Sequence, residues 1–316
     1  MIVYHKLEEV PANIATVLSA GNFDGVHRAH QHVLRRNVPR ARELGATSMA
    51  VTFDPPPVRI LRPHAPSRLL TPLPVKLRRL AELGLEAALV LTFDRELSLM
   101  PPRQFAAQVL AGRLHAREIH EGSNFHFGHH AEGNVHKLVE FGRELGFHVE
   151  IYPQMDYRGE TVSSSRIRQL VAEGKVERAR ALLARPFSVL SHAGRGRGYG
   201  RRYTVPTINL AGYEELTPAD GVYITWTRVG QECFASVTNA GQRPTFGESY
   251  AIETHLLNFH PLPLAPETEV EICFLKRLRP EIRFPSAAAL RDQIAIDIKQ
   301  TRKYFHRWER MRHMNV

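Results

Sequence analysis

Two stretches of the chain carry residues able to handle phosphate. The first is Gly21-Asn-Phe-Asp-Gly-Val-His27-Arg-Ala-His30, where a short apolar run stops and a helical pattern begins. The free N–H groups of a helix start attract anions, and Gly21 and Gly25 let the chain turn closely around one. His27 and His30 can aim two ring N–H groups at that same anion. The plainer alternative is a capped helix carrying two solvent-facing histidines. The second stretch runs from Gly194 to Asn209. Gly194, Gly196, Gly198 and Gly200 leave a backbone free to wrap phosphates, and Arg195 and Arg197 add positive charge. Thr207 and Asn209 fall on one face of a strand. Their hydroxyl and amide oxygens are hard donors suited to Mg²⁺. Here the alternative is an RNA-binding Arg/Gly segment with Tyr199 as a stacking platform.

These residues need elements to hold them. Before residue 186 the apolar pattern alternates between strand and helix. Strands are predicted at Ala15–Ala20, Ser48–Phe53, Ala87–Phe93, Glu118–Glu121 and Phe147–Tyr152. Between and after them helices are predicted at His30–Leu44, Val75–Leu83, Phe105–Leu114, Val135–Leu145 and Ile167–Leu183. Such alternation implies a parallel sheet with right-handed crossovers, whose ligands bind at the carboxyl ends of the strands. The first phosphate stretch lies at such an end. After Pro186 the pattern changes to short β-rich runs separated by Pro, Gly and Asn clusters, the mark of a small antiparallel barrel or sandwich. A helix, Ala287–Phe305, follows. The expected division is 1–186 and 187–316.

Composition narrows the setting. The 316 residues include 42 Lys+Arg and 32 Asp+Glu, a net charge of +10, and 43% are hydrophobic. That is enough apolar material for packed cores and argues against disorder. The positive charge suits nucleic acid, acidic lipid or nucleotide phosphates equally. Two cysteines cannot staple a chain of this length and point to a reducing compartment. With no signal-peptide pattern and no apolar stretch of about 18 residues, a cytoplasmic protein without a membrane partner is expected. His120, His126, His129, His130 and His136 crowd one segment, but their spacing is unlike a zinc motif.

Further motifs add a resemblance. His27-Arg-Ala-His30 resembles the His-x-Gly-His motif of the nucleotidyltransferase superfamily, and the run from Gly21 to His27 resembles the start of bacterial bifunctional riboflavin kinase/FAD synthetases. Thr52-Phe-Asp-Pro, Leu70-Thr-Pro, Leu91-Thr-Phe-Asp, Glu121-Gly-Ser-Asn-Phe-His-Phe-Gly128 and Val162-Ser-Ser-Ser-Arg-Ile-Arg168 are similar to that family's motifs in the same order. In the second half, Pro206-Thr-Ile-Asn209, Asn239-Ala-Gly-Gln-Arg243-Pro-Thr-Phe and Ile252-Glu-Thr-His-Leu-Leu257 resemble riboflavin kinase motifs. Departures are Ala29 for Gly, Pro56 for His, Asn124 for Asp and Ser165 for Thr.

The resemblance implies a Rossmann-like nucleotidyltransferase domain followed by a small antiparallel β-barrel with a C-terminal helix. It implies ATP-dependent phosphorylation of riboflavin to FMN by the barrel domain, then adenylylation of FMN to FAD by the first domain. Riboflavin, FMN and ATP are the implied partners, with Mg²⁺ at both steps and no nucleic acid. His27 and His30 would stabilise the transferring phosphate. Gly21, Phe23, Asp24, Gly25, Ser164 and Arg168 would bind nucleotide phosphates, as would the four glycines of the second stretch. Asn124 and Arg243 would sit at flavin, Thr207 and Asn209 at Mg·ATP, and Glu253 would be the kinase's general base. A kinase with an inert first domain is one rival, and a basic nucleic-acid-binding protein is another. A homo-oligomer is compatible with the sequence.

Overall fold

The computed structural model describes residues 1–64, 67–194, 207–210, 212–242, 250–260 and 268–314. They form two compact units, Met1–Arg166 and Ile167–Val316.

The first unit is built on a six-stranded sheet. Its strands are β1 (Ile2–Tyr4), β2 (Thr16–Ala20), β3 (Thr47–Phe53), β4 (Ala87–Leu91), β5 (Ala116–Gly122) and β6 (His148–Tyr152). They lie in the order β1-β4-β3-β2-β5-β6, all parallel. β2 and β4 are buried along their whole length, as expected where both sheet faces are covered. Alternating side chains feed two cores. Phe23, Leu34, Ala50 and Leu80 pack on one face, under α1 (Arg28–Glu43) and α2 (Leu73–Glu82). Leu18, Met49, Leu89, Phe105, Ile119 and Leu138 pack on the other, with α3 (Val135–Leu145). The chain moves outward from β2 through β3 and β4, then returns to β5 on β2's other side. This reversal opens a crevice at the carboxyl ends of β2 and β5.

Two predicted helices differ in form. The segment Phe105–Arg113 is wound as a π-helix, with Leu114 N–H reaching back to Val109 C=O at 2.9 Å. Ile167–Leu183 is not one helix but two, α4 (Ser164–Ala172) and α5 (Val176–Leu183). Gly174 between them takes φ +72°, and an added Cβ would meet the Tyr223 hydroxyl and Arg277 at 3.0 Å. Apolar periodicity runs through this break because both helices bury the same kind of face (Ile167, Leu170, Val176, Leu182).

The second unit holds a closed antiparallel barrel. Its strands are β7 (Phe187–Gly194), β8 (Thr207–Leu210), β9 (Gly221–Val229), β10 (Glu232–Gln242), β11 (Tyr250–Leu256) and β12 (Glu269–Arg279), in the order β7-β8-β11-β10-β9-β12 with β12 closing on β7. Closure pairs the edges that a sandwich would leave open. Its interior carries a hydroxyl cluster. Thr225 bonds Ser236 and Thr238 at 2.7 Å each, Ser236 also meets Thr227 at 2.7 Å, and Thr254 joins Thr227 and Thr238 at 3.1 and 2.9 Å. All five residues are fully buried. The final helix, α6 (Ala287–Met314), docks Phe305 against Trp226 at 4.6 Å between ring centroids. Buried Asp297 grips the Arg279 guanidinium at 2.9 Å.

Candidate active sites

A cavity of about 890 Å³ opens at the carboxyl ends of β2 and β5. Gly21, Phe23, His27, His30, Asn124 and Ser164 line it together, although up to 143 residues of chain separate them. His27 is the N-cap of α1, and its Nδ1 accepts the backbone N–H of His30 at 3.4 Å. With Nδ1 accepting, the proton of the neutral ring sits on Nε2. The His30 ring stacks on the His27 ring, with centroids 3.5 Å apart. His27 is 5% exposed, so the pair is packed into the cavity wall and the solvent-facing alternative is set aside. Burial holds the His30 pKa well below its usual value, and the charges of His27 and Lys76 lower it further. His30 Nδ1 is buried and lacks a hydrogen-bond partner.

Behind this wall stands a clamp. The Asp24 carboxylate accepts the backbone N–H groups of Leu70 at 3.2 Å and Thr71 at 3.0 Å. Thr71 Oγ1 in turn accepts the Gly25 N–H at 3.0 Å. Asp24 and Gly25 therefore stand outside the cavity lining and tie the loop after β2 to the segment that starts α2. Ser164 closes the arrangement from α4. Its hydroxyl donates to the Asp24 carbonyl at 2.8 Å, while the Ser163 hydroxyl caps the helix by accepting the Arg166 N–H at 3.2 Å. Arg168 lies one turn further along α4.

In the barrel, strand register brings Asn209, Glu253 and Asn239 into one row. Asn209 on β8 pairs directly with Glu253 on β11 and with Gly194 on β7. Asn239 on β10 pairs with Glu253 from the other side. Directly opposed residues point to the same side, with Cβ atoms about 5 Å apart. Thr254 and Ile252 face the interior, so Glu253, Asn209 and Thr207 face outward. Gly196, Gly198, Gly200, Arg195, Arg197 and Arg243 fall outside the described residues.

Comparison with known proteins separates the two halves in the same way. Residues 10–166 match the FAD synthetase family and residues 183–305 the riboflavin kinase family. The bifunctional riboflavin kinase/FMN adenylyltransferase of Escherichia coli K12 is 31% identical over 303 residues, covering 95% of this chain and 96% of that one. The chain belongs to the bifunctional riboflavin kinase/FMN adenylyltransferase family. The Haemophilus influenzae relative is 32% identical, covering 92% and 94% of the two chains. A solved structure described as a macrolide-efflux protein from Streptococcus pneumoniae has the same fold, with TM-score 0.86 at 25% identity over 95% of this chain and 98% of that one. Like its family, this riboflavin kinase/FMN adenylyltransferase phosphorylates riboflavin to FMN with its C-terminal domain and converts FMN to FAD with its N-terminal domain, using ATP. No helix among the described residues is long and apolar enough to cross a membrane.

Two polar side chains near the first site were not singled out from sequence. Lys76, 3% exposed, donates to Thr52 Oγ1 at 3.2 Å. Burial lowers its pKa, and Asp24 and Asp54 oppose that shift. Its signal was a lysine on the apolar face of α2, between Val75 and Leu80. Glu121, 5% exposed, accepts the Ala20 N–H at 2.6 Å. Its signal was an acid beside Gly122, at the carboxyl end of a predicted parallel strand. The histidine-rich segment spreads out in space: His126, His129 and His130 line the cavity, while His120 is buried between Glu118 (2.8 Å) and the Tyr152 hydroxyl (2.9 Å).

Proposed function

We propose that adenylyl transfer takes place in the cavity at the ends of β2 and β5, and that riboflavin is phosphorylated at the outward row on the barrel, within the divisions 1–186 and 187–316. The stacked His27–His30 pair at the start of α1, aimed into a cavity large enough for a nucleotide, supports the first assignment. In that step an FMN phosphate oxygen attacks the α-phosphorus of ATP and pyrophosphate leaves. No covalent enzyme intermediate is needed, so positioning and charge stabilisation carry the rate. His27 offers Nε2–H to the phosphate, and His30 takes up positive charge as the phosphate approaches. Ser164 and Arg168 hold the remaining phosphates at the start of α4. Asn124, on the Phe-rich loop, lies beside the flavin or the adenosine.

In the barrel, Glu253 takes the proton of the terminal ribityl hydroxyl as that oxygen attacks the γ-phosphorus and ADP leaves. Thr207 and Asn209 fit Mg²⁺ by donor chemistry, since both present neutral oxygens beside the Glu253 carboxylate. When bound with ATP, the ion would neutralise phosphate charge. Riboflavin, FMN and ATP are then the partners, the positive charge needs no nucleic acid, and the setting is the cytoplasm, where ATP is supplied.

Chromatography of the flavins formed from riboflavin, ATP and Mg²⁺ tests both assignments. Wild-type protein should yield FMN and then FAD. Glu253→Gln should lower FMN formation by about 10²-fold or more while still converting added FMN to FAD. His27→Gln should do the reverse, with FAD formation down about 10²- to 10³-fold. FMN as the sole product of the wild type would instead indicate a kinase with an inert first domain.

A further inference from the structure

Glu121 stands one residue before the end of β5 and is 5% exposed. One carboxyl oxygen is occupied by the Ala20 N–H at 2.6 Å. The other makes no hydrogen bond or ion pair among the described residues, and it is not sealed from the cavity that Glu121 lines. Among the described residues no cation acts on the group. Burial raises its pKa well above the carboxylate range, and the Ala20 N–H opposes this only in part. Burial of this kind favours the protonated carboxyl, and a protonated carboxyl is a hydrogen-bond donor. Because one oxygen is committed as an acceptor, the proton belongs on the oxygen that opens into the cavity.

The surroundings indicate what that donor meets. Glu121 shares a strand face with Ile119, which packs in the core with Phe105 and Phe127. Phe53, Phe93 and Phe125 also line the cavity, and Phe125 stacks on Phe127 with ring centroids 5.3 Å apart. An aromatic-walled space suits a broad, flat ring system. The isoalloxazine of FMN is such a ring, apolar at one end and bearing carbonyl and ring-nitrogen acceptors at the other. The phosphate-binding histidines sit on the opposite, α1 side of the sheet end.

We propose that Glu121 donates a hydrogen bond from its cavity-facing oxygen to an acceptor on the flavin ring of FMN, and so contributes to the binding of FMN in this cavity. This rests on the cavity being the adenylyl-transfer site. Glu121 is then a specificity-determining residue of that step, reading the polar end of the flavin.

Full-length Glu121→Met and Glu121→Gln variants test it. Methionine keeps the volume and removes the donor, so the KM for FMN should rise about tenfold, with kcat and the KM for ATP within about threefold of wild type. Glutamine keeps both an acceptor for Ala20 and an N–H donor, so its KM for FMN should stay within about threefold. An unchanged KM for FMN in Glu121→Met, a fall in kcat alone, an equal rise in the KM for ATP, or a Glu121→Gln variant as poor as Glu121→Met would overturn the proposal. Infrared difference spectra give a second measurement if the methionine variant does not fold. A protonated-carboxyl band should shift when FMN, but not ATP, is added, and should be missing from Glu121→Gln. Failure of the band to respond to FMN in the wild type would also overturn the proposal. Wild-type protein that forms no FAD would defeat the cavity assignment itself, and is read separately.

Discussion

His30 shows how one side chain can be tuned by its surroundings. Burial is the main cause of its lowered pKa, followed by the charges of His27 and Lys76. The unfolded chain protonates this histidine below about pH 6.5, while the folded protein resists the proton. The stability it contributes is therefore complete above that pH and is lost as the pH falls toward the folded-state pKa. His30→Gln should flatten the decline in denaturant midpoint between about pH 7.5 and 5.5. Equal declines in variant and wild type would show that His30 does not contribute. The same ring is expected to bind its proton more readily when ATP is present. Its titration, followed by NMR in protein saturated with a non-hydrolysable ATP analogue, should move upward.

At the scale of elements, the Phe-rich loop between β5 and α3 depends on one backbone position. Gly128 takes φ +74°, and a Cβ there would lie 2.6 Å from the Pro102 ring. Both the conformation and the space exclude a side chain. Gly128→Ala should destabilise the first unit by about 1–3 kcal/mol and displace Phe127 and His129 from the cavity wall. FAD formation from FMN should fall at least several-fold while riboflavin phosphorylation persists. Comparable loss of both activities would mean that the effect is not confined to this loop. The π-wound segment Phe105–Arg113 belongs to the same wall, since Phe105 lines the cavity, and π-helical turns often accompany functional sites.

For the whole molecule, the division into two compact units predicts that damage to one activity spares the other. The Arg279–Asp297 pair tests this away from either site. Asp297 is 3% exposed, accepts Arg279 through both oxygens and also accepts from Gln293 at 3.0 Å. Removing one partner of a buried pair costs about 3–5 kcal/mol. Asp297→Ala should therefore lower the temperature at which riboflavin phosphorylation is lost, leaving the inactivation temperature for FMN adenylylation unchanged. A parallel shift in both would show that the units unfold together.

How much of this was legible in the residues follows from range. The alternation of strand and helix before Pro186, the β-rich pattern after it, and the phosphate-handling stretch from Gly21 to His30 are local signals, carried by apolar period, glycine and helix-start chemistry. They determined a parallel sheet and a small β domain, and marked two stretches as candidates for phosphate. What sequence could not decide depends on residues far apart in the chain. Gly174 breaks an apolar period that continues on both sides of it. Barrel or sandwich is a question of whether β12 meets β7, and Asn209 faces Glu253 only because of strand register. Asp24 resembled a ligand by position, yet its oxygens are taken up by backbone N–H groups 46 and 47 residues away. Glu121 remained one of two acids in a mixed strand until the fold placed it beside Ala20 and the phenylalanine wall, because burial and the company of a side chain are properties of the assembled core.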